Sequence, residues 1–369
     1  MTATPFRIGF LSPHNPYDRR AFSGTTFYAA AALARQPGID LRVLGAHRPP
    51  GLADRLLRRA SPKLDRVSEA EIDGLDAVVG LVASQMIDRI RPPCDTPLIH
   101  VTDATPAFLR EDYGWGVPVE MDRREARVLQ RADAALYSSQ EMADRAAREF
   151  DTETAALPFG INFDTARLPA SRPEKPPLSS LNLLFVGNDW VRKGGEIAVA
   201  AMQQARKMGL AATLTVVGRL PEAHRTTPHI TAAGYLNKNR AAQAAELARL
   251  YARAHLLLVP SRADCTPMVA AEAMSFGTPV LASDTGGLPS LLGGAGTGRL
   301  LPLAADGCDW ARAIQDVTRD PAAYALMSEA GFDRARSVLT WDSWAAGVVA
   351  RARDLAQARQ RRAPQVAAA

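Results

Sequence analysis

The chain has 369 residues, of which 47% are apolar and 22% are charged. These values exclude a coiled coil, a collagen-like chain and widespread disorder, and the length is typical of two globular domains. The formal net charge of +5 divides into −2 for residues 1–170 and +7 for residues 171–369. An anionic ligand of the second half would explain this difference, although arginines on solvated helices account for most of the excess.

The first 167 residues alternate between strand-like and helix-like segments. Predicted strands lie at residues 7–11, 41–44, 77–82, 98–101 and 134–137, and a predicted helix covers Thr25–Arg35. A βαβα alternation of this kind predicts an α/β domain, with a parallel sheet covered by helices on both faces.

Residues 168–180 contain four prolines in thirteen residues, which predicts an extended linker. A second alternation occupies residues 181–340, with predicted strands at residues 181–186, 213–217, 230–233, 256–260 and 279–283, and a helix is predicted over 341–362. We therefore expect two Rossmann-like domains, residues 1–167 and 181–340, that face each other across a cleft. Ligands bind beyond the carboxyl ends of the strands in such sheets.

The compartment and several classes of partner also follow from the sequence. Cys94, Cys265 and Cys308 are too few and too far apart for a disulfide framework or a zinc site, which indicates a reducing compartment. No signal peptide or membrane span is visible, so we expect a cytoplasmic protein. The sequence shows no dense basic stripe with interleaved aromatic residues, which argues against a nucleic-acid partner.

One short basic segment could contact an anionic membrane surface. Residues 55–63 contain three arginines and a lysine, but Pro62 interrupts them, so a solvated helix is the alternative. The segment allows weak peripheral contact with the inner face of a membrane. Metal-binding motifs are absent from the sequence, including D-x-D, so we expect no metal and no cofactor.

Two glycine-containing loops are candidate phosphate sites. Residues 187–195 follow a predicted strand and precede a predicted helix, and Arg192 and Lys193 adjoin Gly194. Free amides and the positive end of a helix would bind an anion there. Gly24 opens the first helix of the first domain in a similar way, although Ser23 beside it could simply be a helix cap.

Two carboxylates stand close together after the strand at residues 256–260. Seven residues separate Asp264 from Glu272, which places Glu272 about two helical turns beyond the loop that carries Asp264. Such a pair could accept hydrogen bonds from separate hydroxyls of an extended polyol. The alternative is an acid that favours the helix dipole and a surface glutamate.

These segments together resemble the retaining GT-B nucleotide-sugar glycosyltransferases of family 4, over nearly the whole chain and most strongly over 181–295. Asp264-x7-Glu272 and the Gly-Gly loop at 286–287 are similar to the E-x7-E block of that family and the loop after it. Residues 185–195 look like its diphosphate loop, residues 22–26 like its first-domain glycine loop, and residues 157–162 like its P-x-G-[VI]-[DN] segment.

The resemblance implies a role for each matching residue. Lys193 would bind the donor diphosphate, Asp264 the hydroxyls of the transferred sugar, and Glu272 the ribose hydroxyls. Other donor-binding positions implied in the same way are Gly24, Arg192, Gly194, Gly234, Tyr235, Thr266, Met268 and Val269. The backbone near Met268 would face the phosphates, and Gly234 and Tyr235 would flank the nucleobase.

Three positions depart from the family pattern. Asp264 stands where the family usually has Glu, and Asn188 stands where it often has Arg, so Arg192 is expected to supply that charge. Many members of the family have a His near the anomeric carbon. In this sequence Asp103, and not His100, aligns with that position. The alternative for Asp103 is a capping role for the segment that follows it.

The resemblance implies metal-independent, retaining transfer from a nucleoside-diphosphate sugar to a hydroxyl of a sugar, lipid-linked or small-molecule acceptor. Catalytic roles would fall to Asp103, Lys193 and Asp264. Two alternatives stay open: a GT-B epimerase of sugar nucleotides or a phosphorylase, and a non-catalytic binder of nucleotide sugars.

Overall fold

The computed structural model describes residues 4–45, 47, 67–294 and 296–366, with side chains up to Arg361. The chain forms two compact units. One ends at Asn162 and resumes at Thr340, and the other comprises Phe163–Leu339. The proline-rich segment 168–180 is grouped with the second unit. The basic segment 55–63 lies outside the described residues.

The first unit is built on a six-stranded parallel sheet in the order β2-β1-β3-β4-β5-β6. Its strands are β1 (Phe6–Leu11), β2 (Ile39–Val43), β3 (Ala77–Leu81), β4 (Leu98–Thr102), β5 (Ala134–Tyr137) and β6 (Ala155–Ala156). Its first helices are α1 (Thr25–Arg35), α2 (Glu69–Ile72), α3 (Ser84–Ile87), α4 (Pro106–Glu111), α5 (Glu120–Arg131) and α6 (Gln140–Phe150), with a 3-10 turn at Ala21–Gly24.

The C-terminal helix, Trp341–Val366, packs into the core of this first unit. Its buried Trp344 meets Phe159 edge to face, with ring centroids 6.4 Å apart. Trp341 Nε1 donates a hydrogen bond of 3.0 Å to Asn162 Oδ1. The buried apolar face of this helix therefore explains why the end of the chain belongs to the unit that contains its beginning.

The second unit has another six-stranded parallel sheet, in the order β12-β11-β10-β7-β8-β9. Its strands are β7 (Leu181–Gly187), β8 (Ala212–Gly218), β9 (Ile230–Gly234), β10 (Leu256–Val259), β11 (Val280–Ser283) and β12 (Gly298–Leu301). Its helices are α7 (Gly195–Lys207), α8 (Ala241–Arg253), α9 (Met268–Met274), α10 (Leu288–Leu292), α11 (Gly307–Arg319) and α12 (Pro321–Ser337), and the C-terminal helix of the first unit is α13.

The α/β prediction with two Rossmann-like sheets is confirmed. Counted from β7, the second sheet has the strand order 3-2-1-4-5-6 of a dinucleotide-binding fold, which reverses direction between β7 and β10. Ligands bind at the carboxyl ends of the strands at this reversal point. No helix among the described residues is both long enough and apolar enough to span a bilayer.

A half-buried lysine fixes the proline-rich segment to the second unit. Lys175 Nζ lies within hydrogen-bonding distance of four acceptors: the carbonyl oxygens of Tyr251, Ala252 and Phe276 at 3.0–3.2 Å and Thr278 Oγ1 at 2.5 Å. Burial lowers the pKa of Lys175 to about 7. The segment is therefore held by specific polar contacts rather than only by proline stiffness.

Candidate functional site

The reversal point of the second sheet brings together the two loops that carry the strongest sequence motifs. Residues 188–194 follow β7 and residues 260–267 follow β10, and these two strands are neighbours in the sheet. Both loops leave the carboxyl ends of their strands. Parallel pairing therefore places the basic loop beside the acidic loop although 71 positions separate Lys193 from Asp264.

Lys193 and Asp264 form an ion pair at this point. The Lys193 ammonium donates to Asp264 Oδ2, and the side chains are only 16% and 5% exposed. Ser261 Oγ donates to the same oxygen at 3.3 Å. A lysine and a carboxylate thus form an ion pair in a poorly solvated position, where electrostatic attraction is stronger than in bulk water.

Gly194 lets the basic loop approach the end of β10. Its φ is +72°, and a Cβ built there would lie 1.9 Å from the carbonyl oxygen of Pro260. The amides of Gly194 and Gly195 are not free, because Gly194 N donates to Val191 O at 3.2 Å and Gly195 N donates to Trp190 O at 2.9 Å. The tight turn satisfies these donors internally, so the contribution of Gly194 is steric.

Arg192 connects the two loops rather than projecting alone. Its Nη1 donates to the Ala263 carbonyl at 2.9 Å, and its Nε donates to Asp189 Oδ2 at 3.1 Å. Its own carbonyl accepts from the Arg262 amide at 2.8 Å. Arg192 therefore clamps the basic loop to the acidic loop and fixes the relative position of Lys193 and Asp264.

Glu272 lies inside the short helix α9 and is 2% exposed. Lys238 Nζ donates to its Oε1 at 2.5 Å, and the Tyr251 hydroxyl donates to its Oε2 at 3.0 Å. Burial, with the charge of Glu272 nearby, raises the pKa of Tyr251 well above its ordinary value. The phenol therefore stays a neutral hydrogen-bond donor that orients the carboxylate.

A glycine pair supports the backbone of the acidic loop. Gly287 N donates to the Asp264 carbonyl at 2.9 Å. At Gly286, with φ +55°, a Cβ would lie 2.1 Å from that same carbonyl oxygen. The Gly-Gly loop noted in the sequence thus packs directly against Asp264 and permits its close approach.

The remaining donor-site predictions lie in the same unit. Thr266 O accepts from the Met268 amide at 2.8 Å, and both Met268 and Val269 are partly exposed at the start of α9. Gly234 ends β9 with φ +69°, and the Tyr235 ring after it is 65% exposed. An exposed ring of this kind is suited to stacking on a planar group.

Gly24 and Asp103 belong to the first unit. Phe22, Ser23 and Gly24 all have positive φ, which makes a tight turn immediately before α1. Asp103 directly follows β4 and is partly buried. The nearby His100 is fully buried within β4 and contacts Glu125 Oε1 at 2.8 Å.

Among the described residues, no group of three or more His, Cys, Asp or Glu side chains is placed to hold a metal ion. The two candidate donor-site carboxylates are each paired with a lysine, Asp264 with Lys193 and Glu272 with Lys238.

Sequence reasoning missed Lys238 and Tyr251, the partners of Glu272. Lys238 lies in the loop after β9, and Tyr251 lies near the end of α8. No motif links either residue to Glu272, since 34 and 21 positions separate them from it. The only available signal was the apolar periodicity of α8, which places Tyr251 on the buried face.

Comparisons with known proteins concern the family and the fold of the chain. A family model described as "Family 4 Glycosyltransferase in conflict systems" matches residues 28–363. A glycogen synthase of Mycobacterium tuberculosis is 28% identical over 262 residues, which cover 68% of this chain. The match spans 61% of the length of that relative.

Solved structures show the same fold over nearly the whole chain. Sucrose-phosphate synthase from Thermosynechococcus elongatus is 21% identical with a TM-score of 0.69, and the match covers 95% of this chain and 99% of that one. HepE from Anabaena in complex with UDP is 14% identical with a TM-score of 0.65, covering 94% and 99%. Both likenesses concern the fold, which is of the GT-B class.

Proposed function

The chain belongs to the family 4 glycosyltransferases of conflict systems, and on that premise we propose that it transfers a sugar from a nucleoside-diphosphate sugar to an acceptor hydroxyl. We further propose that the anomeric configuration is retained and that no metal ion is needed. The observation that carries the proposal is the Lys193–Asp264 pair at the reversal point of the second sheet.

Lys193 is the proposed ligand of the donor diphosphate. Lys193 immediately precedes Gly194, the N-cap of α7, so the positive end of the helix dipole favours an anion near this loop. A bound diphosphate competes with Asp264 for the Lys193 ammonium and leaves the carboxylate to accept a hydrogen bond from a hydroxyl of the transferred sugar. One ion pair thus supplies both a cation for the phosphate and an acceptor for the sugar.

The chemical step requires negative charge on the leaving diphosphate to be stabilised. Preorganised positive charge in a poorly solvated site supplies this without rearrangement during the reaction. Arg192 keeps Lys193 in position through its contacts to Ala263 and Asp189. In a retaining reaction of this kind the leaving phosphate oxygen can accept the proton of the acceptor hydroxyl, so no carboxylate nucleophile is required.

Glu272 is the proposed ligand of the ribose hydroxyls. Each of its oxygens accepts one hydrogen bond in the structure, from Lys238 and from Tyr251, and each has a further lone pair for a ribose hydroxyl. Lys238 also neutralises the carboxylate, which lowers its repulsion of a diphosphate. The exposed ring of Tyr235 and the open backbone at Gly234 are the proposed base-side surface.

In the first unit, Asp103 is proposed to act near the anomeric carbon, and Gly24 is proposed to contact the donor. Asp103 stands at the carboxyl end of β4, the edge of the sheet at which ligands bind. Its replacement by Asn removes the charge and keeps the shape. A capping role predicts a loss of stability, whereas a catalytic role predicts a loss of turnover at unchanged stability.

A ligand screen followed by a product assay tests the function. UDP is the first probe because HepE, which shares the fold, was solved with it, and GDP, ADP and TDP are compared with it. A nucleotide that binds only the folded state raises the melting temperature. The matching nucleotide sugar, incubated in EDTA with a panel of acceptors, should yield free nucleoside diphosphate and a new glycoside of unchanged anomeric configuration.

Each other outcome identifies a different function. Isomerised nucleotide sugar without a glycoside indicates an epimerase, and a sugar phosphate released from a glycoside by phosphate indicates a phosphorylase. Nucleotide binding without any turnover across the acceptor panel indicates a non-catalytic binder. Transfer that EDTA abolishes contradicts metal independence but leaves the transferase assignment standing.

A further inference from the structure

A loop of the first unit presents an aromatic side chain to solvent at the ligand-binding edge of the sheet. Residues 112–119 connect α4 to α5. The end of α5 lies at the amino edge, because Asp133 N donates to Leu98 O at the start of β4. The twelve-residue helix is about 18 Å long, so its beginning, with the loop before it, lies towards the carboxyl edge.

The side chain at the tip of this loop is Trp115, which is 52% exposed. The other four tryptophans, at positions 190, 310, 341 and 344, are at most 8% exposed. Among the five tryptophans, only Trp115 therefore exposes a large part of its side chain to solvent. Burying half of an indole ring on a ligand would contribute substantial binding free energy.

The ring is held in place rather than free to move. Trp115 meets Tyr113 edge to face at 5.0 Å between ring centroids, and Tyr113 meets the buried Phe108 at 5.5 Å. Trp115 N donates to Leu109 O at 3.0 Å. A preorganised ring loses little entropy when it binds a ligand.

Ion pairs fix the beginning of the same loop. Arg145 donates to Asp112 at 2.6 Å and to Glu111 at 2.7 Å, and its guanidinium lies 5.2 Å from the centre of the Phe108 ring. By contrast, a Cβ on either flanking glycine, Gly114 or Gly116, would meet nothing within 4 Å. The base of the loop is therefore fixed and the space around its tip is open.

The charge around the ring identifies the chemistry of the ligand. Residues 111–122 contain four carboxylates, of which Glu111 and Asp112 pair with Arg145 and Asp122 pairs with Arg110. These ion pairs cancel most of the negative charge beside the ring, which suits an uncharged ligand. Carboxylates accept hydrogen bonds from hydroxyls, and the C–H face of a pyranose ring is an apolar surface that packs on an indole.

We propose that Trp115 is the stacking platform of an acceptor site for a neutral saccharide. The proposal rests on the proposed glycosyl transfer and extends it, since it assigns the acceptor to sugars rather than to lipid headgroups or anionic molecules. The indole packs against one pyranose face, and carboxylates of residues 111–122 accept hydrogen bonds from hydroxyl groups at its edge. The second unit supplies the donor site independently.

The buried state of the other tryptophans makes Trp115 a built-in reporter. Quenching of tryptophan fluorescence by acrylamide in the intact 369-residue chain reports mainly on this residue. The probes are methyl glycosides of glucose, galactose, mannose and N-acetylglucosamine, together with maltotriose. We expect at least one probe to protect the acrylamide-accessible component in a saturable manner.

Three variants show whether the protection comes from stacking. Trp115→Ala should weaken binding of the protecting probe, followed by ligand-observed NMR, by about tenfold or more. Trp115→Tyr should retain most of the affinity because it keeps a flat ring. Leu326→Ala is the matched control, since this apolar side chain is 68% exposed in the second unit.

Several results would refute the proposal that Trp115 stacks on a saccharide. One is that no probe protects Trp115, and another is that phosphatidylcholine vesicles protect it while saccharides do not. Saccharide binding that survives Trp115→Ala also overturns it. Stabilisation by UDP is measured in the same samples, so a chain that binds UDP but leaves Trp115 unprotected refutes the platform and not the donor site.

Discussion

Replacing Lys193 by Ala should affect stability and activity for two separable reasons. The change leaves the Asp264 side chain, which is 5% exposed, without its ion-pair partner. Breaking a buried pair in this way costs about 3–5 kcal/mol, and the 16% exposure of Lys193 favours the lower end of that range. For a unit of this size we expect the melting temperature to fall by roughly 6–12 °C.

The loss of activity should be larger than the loss of stability explains. Removing one preorganised charge partner from a transition state lowers kcat on the order of 10²–10³-fold. The double variant Lys193→Met with Asp264→Asn removes both charges and keeps similar shapes. It should recover most of the melting temperature and none of the activity, because no buried charge is left unpaired and the phosphate ligand is still missing.

The assay is release of nucleoside diphosphate from saturating donor and acceptor at a temperature well below every melting transition. Lys207→Ala, an exposed lysine at the other end of α7, controls for the loss of one positive charge. If folded Lys193→Ala transfers sugar within about tenfold of the wild-type rate, less than about 1.4 kcal/mol of transition-state stabilisation is lost and the phosphate assignment is refuted.

Three further predictions concern substitutions in the second unit. Glu272→Gln should reduce the preference for UDP over 2′-deoxy-UDP about tenfold by calorimetry, since a hydrogen bond to a charged acceptor is worth about 1.5–3 kcal/mol; an unchanged preference removes Glu272 from the ribose site. Gly194→Ala should lower the melting temperature far more than Gly209→Ala, because both have positive φ but only the Cβ at 194 meets a carbonyl oxygen, at 1.9 Å. Burial lowers the pKa of Lys175 to about 7, so between pH 7 and its unfolded value of 10.5 the unfolded chain binds more protons and stability rises with pH. Lys175→Met should flatten that rise in melting temperature, and an unaltered pH profile contradicts the assignment.

Local periodicity was sufficient to predict most of the fold. The helix Thr25–Arg35 has the predicted bounds, and the predicted strands of both sheets are present with small differences at their ends. The structure adds two edge strands, Ala155–Ala156 and Gly298–Leu301. The first has only two residues and the second starts at the end of a glycine-rich loop, so neither has the apolar pattern that marks a strand in a sequence.

The sequence by itself determined which residues are chemically suited to a donor site, because glycines, a lysine and two spaced carboxylates lie in the loops and helices that follow strands. Only the tertiary structure decided how they are used. It pairs Lys193 with Asp264 across 71 positions and Lys238 with Glu272 across 34, and it closes the amides of Gly194 and Gly195 within their own turn. Such pairings depend on the order of strands in the sheet and on the path of each loop, and both are set by long-range packing rather than by local composition.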